Sequence, residues 1–189
     1  MSKIIRANTN VPIPGLVVIS GGNSKFGKLV QVGTKSKYDH VSILLGKVAG
    51  NVILKFESQW RSINPYVFTV SKDEYMEIWQ LLAPMDRIEE KLEWLLMNLS
   101  NKPYPFESLI GHGIMAGAEW LGIETKSPFS GGWVCSRVGQ HFVNEVLGRE
   151  FYNAATVRPD HVAKIFRENT NYLKWVGVSD KGQDFVKWF

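Results

Sequence analysis

Three side chains of the sequence could together carry out acyl-transfer chemistry: a cysteine, a histidine and a carboxylate. Cys135 is the only cysteine among the 189 residues, and it lies three residues after a Gly-Gly pair, in the first turn of a predicted helix. A helix N-terminus and a nearby imidazolium both favour the thiolate, which is the nucleophilic form of cysteine. Free backbone N–H groups there can also stabilise the oxyanion formed during acyl transfer. A cysteine on the apolar stripe of a helix is more often simple packing, so Cys135 needs partners to indicate catalysis.

The histidine and the carboxylate come from a predicted β-hairpin. Two apolar runs, 41–45 and 52–56, flank a short loop bounded by two glycines, which indicates a pair of antiparallel strands. If the loop is symmetric, residues whose numbers add up to 97 face each other, and His40 lies opposite Glu57. Directly paired residues have Cβ atoms roughly 4.5–5.5 Å apart. This register predicts that Glu57 hydrogen-bonds His40, and it places Lys55 on the same, partly polar face.

The remaining elements predict an α+β fold, with strands early in the chain and helices late. Strands are predicted at 15–20, 66–70 and 75–83, and helices at 85–100, 133–147 and 158–169. The segment 24–36 indicates a short helix or an irregular turn, and 109–121 a helix or a packed loop. In the cysteine helix, the apolar stripe turns Cys135 inward. We therefore expect an antiparallel sheet packed against a cysteine-bearing helix.

Composition and charge restrict the class of protein. Apolar residues at 44% and aromatic residues at 12% are typical of a globular chain, and we predict a single domain over 1–189 with an aromatic tail from about 169. That tail is either a packed strand or a docking surface. The net charge of +4 comes from scattered Lys and Arg, which argues against nucleic acid as a partner.

The sequence also lacks several features that would indicate export, membrane insertion or metal binding. No segment reads as a signal peptide or as a transmembrane helix, so we expect a cytoplasmic protein. A lone cysteine without a Cys/His cluster leads us to expect no disulfide, no metal and no cofactor. The oligomeric state is left open.

The order of the motifs resembles a known family, the circularly permuted papain-like thiol hydrolases related to the NlpC-type cell-wall peptidases, known as the YiiX/YaeF-like group. The motifs are YDHVSILLG, NVILKFES, NKPYPF, GGWVCSRVGQHFVNEVLG and VRPDHVAKIF, and the similar region extends from about Gly15 to Phe166. In unpermuted NlpC-type enzymes the cysteine helix precedes the histidine strand, whereas here His40 precedes Cys135. The resemblance implies a permuted papain-like fold.

The resemblance also implies roles for individual residues. Cys135 matches the nucleophile, His40 the general base and Glu57 the polar residue that orients the imidazole. Tyr38, close before the histidine, is expected to line the substrate site. Arg137 departs from the family pattern, which often has an acidic residue there, and this bears on substrate preference. The other histidines are expected to have structural or surface roles: His112, His141 and His161.

The activity implied by this resemblance is that of a cysteine hydrolase or amidase acting on amide bonds of cell-wall peptides. Two alternatives stay open at this point. One is a lipid-directed acyl hydrolase or acyltransferase, since related permuted folds handle lipid esters and amides. The other is a catalytically silent structural or binding module of the same fold, for example a phage protein. The absence of a signal peptide favours a cytosolic enzyme, or a phage product delivered to the cell envelope or carried in the virion.

Overall fold

The structure is a computed structural model that describes residues 14–22, 25–49, 52–59, 62–69, 75–105, 107, 118, 121–123, 132–152 and 157–179. Strands and helices follow one another in the order expected from the sequence, with strands first and most helices late. The elements are β1 Val17–Gly21, α1 Lys25–Thr34, β2 His40–Ala49, β3 Val52–Ser58, β4 Ile63–Thr69, β5 Tyr75–Leu81, α2 Met85–Leu99, α3 Cys135–Leu147, α4 Pro159–Glu168 and β6 Leu173–Ser179.

The strands form one six-stranded sheet in the order β4-β3-β2-β1-β5-β6. Every neighbouring pair is antiparallel, which confirms the predicted α+β class with an antiparallel sheet. Strand β1 lies inside the sheet between β2 and β5, and all five of its residues are buried. Burial on both faces explains why this strand is a continuous apolar run without alternation.

The hairpin register differs from the prediction. Ile43 faces Phe56 and Leu44 faces Lys55, so the numbers of paired residues add up to 99 and not to 97. The prediction that His40 lies directly opposite Glu57 is therefore wrong. The reason is that β2 continues through the predicted loop as far as Ala49, with two register irregularities between Leu44 and Ala49. At the end of the hairpin that carries His40 and Glu57 the shift is two residues, which keeps both side chains on their face, so they become diagonal neighbours.

The cysteine helix α3 packs on the sheet at β2. A Cβ atom at Gly139 would lie 2.4 Å from Cγ1 of Val41, so only glycine allows the helix to approach this closely. The buried apolar side chains of α3 join the larger core cluster with residues of β1, β2, α2 and α4. The helix begins at Cys135, two residues later than predicted, and it ends as predicted at Gly148, whose φ is +65°. Cys135 is thus the first residue of the helix.

Several other predictions can be compared with the described residues. The segment 75–81 is a strand, and 25–34 is a helix. The beginning of the C-terminal tail is a strand, because β6 pairs with β5, while Phe185, Trp188 and Phe189 lie outside the described residues. His112 and nearly all of 109–121 also lie outside them. Among the helices that the structure describes, none has the length and apolar composition needed to cross a bilayer.

Candidate active site

His40 and Glu57 are in direct contact at the end of the β2–β3 hairpin. His40 is the first residue of β2, and Glu57 is the second-last residue of β3, so the antiparallel strands bring both to the same end. Nε2 of His40 lies 2.6 Å from Oε2 of Glu57. The His40 side chain is 23% exposed, whereas that of Glu57 is fully buried. The buried carboxylate therefore holds the imidazole while part of the ring stays accessible.

Glu57 is held by two further side chains. Nζ of Lys55 lies 2.9 Å from Oε2, and Nε2 of Gln59 donates a hydrogen bond to Oε1. Lys55 is itself buried, with its ammonium 3.7 Å from the centre of the Phe68 ring. Burial acts to raise the pKa of Glu57, but the charges of His40 and Lys55 and the hydrogen bonds from both outweigh it and lower the pKa to about 2. Glu57 is therefore a carboxylate at neutral pH.

Cys135 and His40 are close enough for their charges to interact and for a hydrogen bond between the side chains. Burial acts to lower the pKa of His40, but the charges of Cys135 and Glu57 and hydrogen bonds to both raise it to about 10. An imidazole with such a pKa holds its proton at neutral pH. The three side chains named from the sequence thus meet in one place, with His40 between a sulfur and a carboxylate. Their catalytic roles stay a prediction.

Hydroxyl groups anchor the chain on both sides of Cys135. Oγ of Ser58 donates to the carbonyl of Trp133 at 2.5 Å, and Oγ of Ser136 donates to the carbonyl of Val157 at 2.6 Å. Ser58 directly follows Glu57 at the end of β3. This strand end therefore holds the imidazole of His40 through Glu57 and the segment before Cys135 through Ser58. The sequence analysis missed Ser58 and Gln59, although both directly follow the predicted carboxylate.

The N-terminus of α3 can accept a negative charge. Val134 occupies the N-cap position in an extended conformation, and no side chain of the described residues caps the helix there. The first intrahelical bond runs from the N–H of Val138 to the carbonyl of Val134. The backbone N–H groups of the first turn, beginning with that of Cys135, therefore have no acceptor within the helix. Such amides are suited to stabilise an oxyanion on a carbonyl attacked by the sulfur.

Tyr104 lies close enough to Cys135 for their charges to interact, and the sequence analysis did not consider it. The chain just before it forms an isolated bridge between Pro103 and Ser62, at the start of β4. Burial, and then the negative charge of Cys135, raise the pKa of the Tyr104 phenol. A neutral phenol close to the thiol can donate a hydrogen bond towards the reacting group. The motif NKPYPF contains this tyrosine, but its type and position alone gave no reason to choose it.

Tyr38, two residues before β2, belongs to a hydrogen-bonded group with side chains of β5 and α4. Its hydroxyl donates to Oε1 of Glu77 at 2.6 Å, and the same oxygen accepts from Tyr75 at 2.5 Å and from Arg167 at 2.6 Å. Burial, followed by the contact with Glu77, raises the pKa of Tyr38 to about 12. Tyr38 is 4% exposed. The contacts give it an anchoring role before His40, and its predicted part in substrate binding stays a prediction.

Asp39 fixes the residue just before His40. Its Oδ2 accepts hydrogen bonds from the backbone N–H of Gly22 at 2.9 Å and from Nε2 of Gln31 at 3.0 Å. Burial raises the pKa of Asp39, against the opposing effects of the Gly22 amide and the charge of His40. The start of β2 is therefore tied both to the end of β1 and to α1, which limits the positions that His40 can take.

Gly132, three residues before Cys135, gives a test of how tightly this segment is packed. Its φ is +92°, and a Cβ atom there would lie 2.2 Å from Cβ of Pro105. We expect Gly132→Ala to lower the free energy of unfolding by about 2–4 kcal/mol, because backbone strain and overpacking add up. Urea denaturation measures this change.

The matched control is Gly122→Ala. Gly122 also has a positive φ, +72°, but no described atom lies within 4 Å of the added Cβ. This variant should lose only the strain, about 1–2 kcal/mol. Equal losses in both variants would contradict close packing of Gly132 on Pro105.

Comparison with known proteins finds similarity among solved structures only. No protein-family model matches the chain, and no curated protein matches it. Within the residues that the structure describes, no group of three or more His, Cys, Asp or Glu side chains is arranged to hold a metal ion. Among solved structures, the chain is similar to the metalloprotein YiiX from Escherichia coli O157:H7, with a TM-score of 0.48 and 14% sequence identity over 88% of each chain.

Proposed function

We propose that this protein is a cysteine hydrolase of the permuted papain-like type, which cleaves an amide bond through a thioester on Cys135. The observation that carries the proposal is the 2.6 Å contact between Nε2 of His40 and the buried carboxylate of Glu57. The same imidazole ring also interacts with Cys135. A nucleophile, a histidine beside it and a third group that holds the histidine are the recurring parts of this chemistry.

In the proposed reaction, Sγ of Cys135 attacks the carbonyl carbon of the substrate, and the amides at the start of α3 stabilise the oxyanion. The C–N bond then breaks, and His40 gives its proton to the leaving amine, which leaves a thioester. His40 next takes a proton from water as the water attacks the thioester. The C–S bond breaks, the acid is released, and the thiolate and the imidazolium form again. Glu57 keeps the ring oriented throughout.

The substrate we propose is a peptide amide of the bacterial cell wall. This choice comes from the resemblance of the motifs around His40 and Cys135 to the NlpC-related group. A lipid ester or amide would use the same nucleophile and the same proton transfers, so the substrate class must be decided by assay. Peptidoglycan stem peptides and lipid amides, incubated with the protein and followed by mass spectrometry, provide that comparison.

The chemistry itself is tested by the rate at which iodoacetamide alkylates Cys135 as a function of pH. Because His40 holds a proton and a charge next to the sulfur, we expect a rate that changes little between pH 6 and pH 8. In His40→Ala the rate at pH 6 should fall by about 10- to 100-fold and then rise with pH, as for an ordinary thiol. Intact mass measures the alkylated fraction.

The pH dependence, and not the absolute rate, decides this test, since Cys135 is only 7% exposed. Lys164→Gln serves as a control, because it removes an exposed positive charge on α4 without touching the site. If the wild-type protein and His40→Ala share one pH profile, Cys135 is a packing residue and the proposal fails. A silent binding module in which Cys135 only packs would give that result.

A further inference from the structure

Lys55 is a buried cation beside the site, and the proposed reaction gives it no part. Lys55 and Glu57 lie two positions apart on β3, so their side chains leave the strand on the same face. The Lys55 side chain is only 6% exposed. A buried ion pair is weak evidence for stability, because apolar side chains of similar volume often replace such a pair without loss. Stability alone therefore does not account for a charge at this position.

Lys55 and His40 bind the same oxygen of Glu57. Nζ of Lys55 lies 2.9 Å from Oε2, and Nε2 of His40 lies 2.6 Å from it. One oxygen atom thus separates the ammonium from the imidazole, while Gln59 donates to the other oxygen, Oε1. Because Nε2 is bound to Glu57, Nδ1 is the ring nitrogen left to exchange a proton during the reaction.

The charges of this group balance differently in the two forms of His40. When the imidazole is protonated, the carboxylate of Glu57 lies between two cations. When it is neutral, the ammonium of Lys55 remains beside the carboxylate, which would otherwise be a buried charge without a counter-ion. The ammonium also disfavours the imidazolium, because the two charges are alike. Both effects favour the neutral imidazole, so Lys55 makes it easier for His40 to release its proton.

Cys135 and Asp39 also act on the charge of His40. Cys135 faces it from the start of α3, and Asp39 precedes it in the chain. Burial acts to lower the pKa of His40, whereas the charges of Cys135 and Glu57 raise it. In a thioester the sulfur is uncharged, so one of these causes is then absent. The balance between Glu57 and Lys55 therefore matters most when His40 takes a proton from water.

We propose that Lys55 is a positioning residue that acts through Glu57: it keeps the carboxylate ionised and directed at the imidazole, and it balances that charge each time His40 gives up its proton. This inference rests on the proposed function, since the proton transfers are those of the proposed hydrolysis. Lys55 itself takes up and releases no proton, and no bond to it forms or breaks. An apolar residue at position 55 would fill the same space but leave Glu57 without a counter-ion whenever His40 is neutral.

The first test is an NMR titration of the ring C–H resonances of His40 in Cys135→Ala, with and without Lys55→Met. Cys135→Ala removes the sulfur, so this titration needs no acylation and corresponds to the uncharged state of the thioester. Methionine keeps an apolar stem against the Phe68 ring, whose centre lies 3.7 Å from the native ammonium. We expect Lys55→Met to shift the proton equilibrium of His40 towards the imidazolium by about tenfold or more, which raises its pKa.

Three further variants separate the charge of Lys55 from its shape. Lys55→Gln keeps a donor towards Glu57 but no charge, so it should raise the pKa of His40 as Lys55→Met does. Lys55→Arg keeps the charge and should change the proton equilibrium by less than about threefold. Lys164→Gln removes a charge on α4 from a side chain that is 74% exposed, and its effect should be less than about twofold.

The second test is the pH profile for hydrolysis of the acetyl group that p-nitrophenyl acetate places on Cys135. This step requires a neutral His40 to take a proton from water, so its rate rises with pH as the imidazole loses its proton. In Lys55→Met the midpoint of this rise should move to higher pH, and in Lys55→Arg it should stay close to that of the wild-type protein. A purely structural role would lower the rate without moving the midpoint.

A pKa of His40 that is unchanged or lowered in either neutral variant that folds, Lys55→Met or Lys55→Gln, would overturn the proposal, whether or not the protein is acylated. A raised pKa together with the shifted midpoint would support it. If the pKa rises but Cys135 forms no thioester, the effect of Lys55 on His40 stands and the proposed function fails.

Discussion

Replacement of Cys135 by alanine is expected to abolish acylation of the protein by an activated ester, and replacement of His40 by alanine to slow it by about 10²–10⁴-fold. The first change removes the only thiol of the chain. The second removes the charge beside the sulfur and the proton donor that the buried Glu57 holds in place. The measurement is the rate at which p-nitrophenyl acetate adds an acetyl group at residue 135, followed by intact mass and peptide mapping.

The control for the histidine is His161→Ala. His161 lies on α4, where its ring packs against Tyr152 and its Nε2 is 3.8 Å from Asp160. Its loss should change the acylation rate by less than about twofold. If residue 135 of His40→Ala is acetylated as fast as that of the wild-type protein, His40 takes no part in the chemistry. The proposed roles of both His40 and Glu57 are then wrong.

The partners of Cys135 could be predicted from the sequence even though the hairpin register was wrong. The predicted pairing placed the turn too early, because the irregularities in β2 between Leu44 and Ala49 leave no trace in the apolar pattern. At the end of the hairpin that carries His40 and Glu57, the error was two residues, an even number. Since side chains alternate between faces with a period of two, His40 and Glu57 stayed on one face and within reach of each other.

The groups that support these residues could not be predicted in the same way. Ser58 reaches a carbonyl 75 positions along the chain, and Tyr104 depends on how the segment after α2 returns to β4. Such contacts depend on tertiary packing, which cannot be predicted from residue type or spacing. Lys55 was assigned to the correct face, but its burial depends on the strands on both sides of β3.

Loss of the Glu57 charge is expected to be the most destabilising change in the site. Glu57→Gln keeps the shape of the side chain but leaves the buried Lys55 without its carboxylate, 2.9 Å away in the native protein. Removing one partner of a buried ion pair costs about 3–5 kcal/mol, because the remaining charge stays out of water. Urea denaturation at pH 7 should show a loss of this size.

The pH dependence of stability follows from the same contacts. The pKa of Glu57 falls from 4.5 to about 2 on folding, so its contribution is complete above pH 4.5 and is lost as the pH falls from 4.5 towards 2. The pKa of His40 rises from 6.5 to about 10, so its contribution is complete below pH 6.5 and is lost as the pH rises towards 10. We expect these two groups to favour a maximum of Tm between pH 4.5 and pH 6.5, with a shallower acid side in Glu57→Gln.

The double variant Lys55→Met/Glu57→Gln separates the cost of an unpaired charge from the loss of a contact. Methionine keeps an apolar stem against the Phe68 ring, on which the Lys55 ammonium lies in the native protein. Because no buried ammonium then remains, the double variant should be more stable than Glu57→Gln by at least about 1 kcal/mol. If the two variants are equally unstable, Lys55 is not the cause of the loss, and the destabilisation must come from the His40 side of Glu57. Either result leaves the acylation rate as a separate readout, since Lys55 touches the carboxylate and not the sulfur.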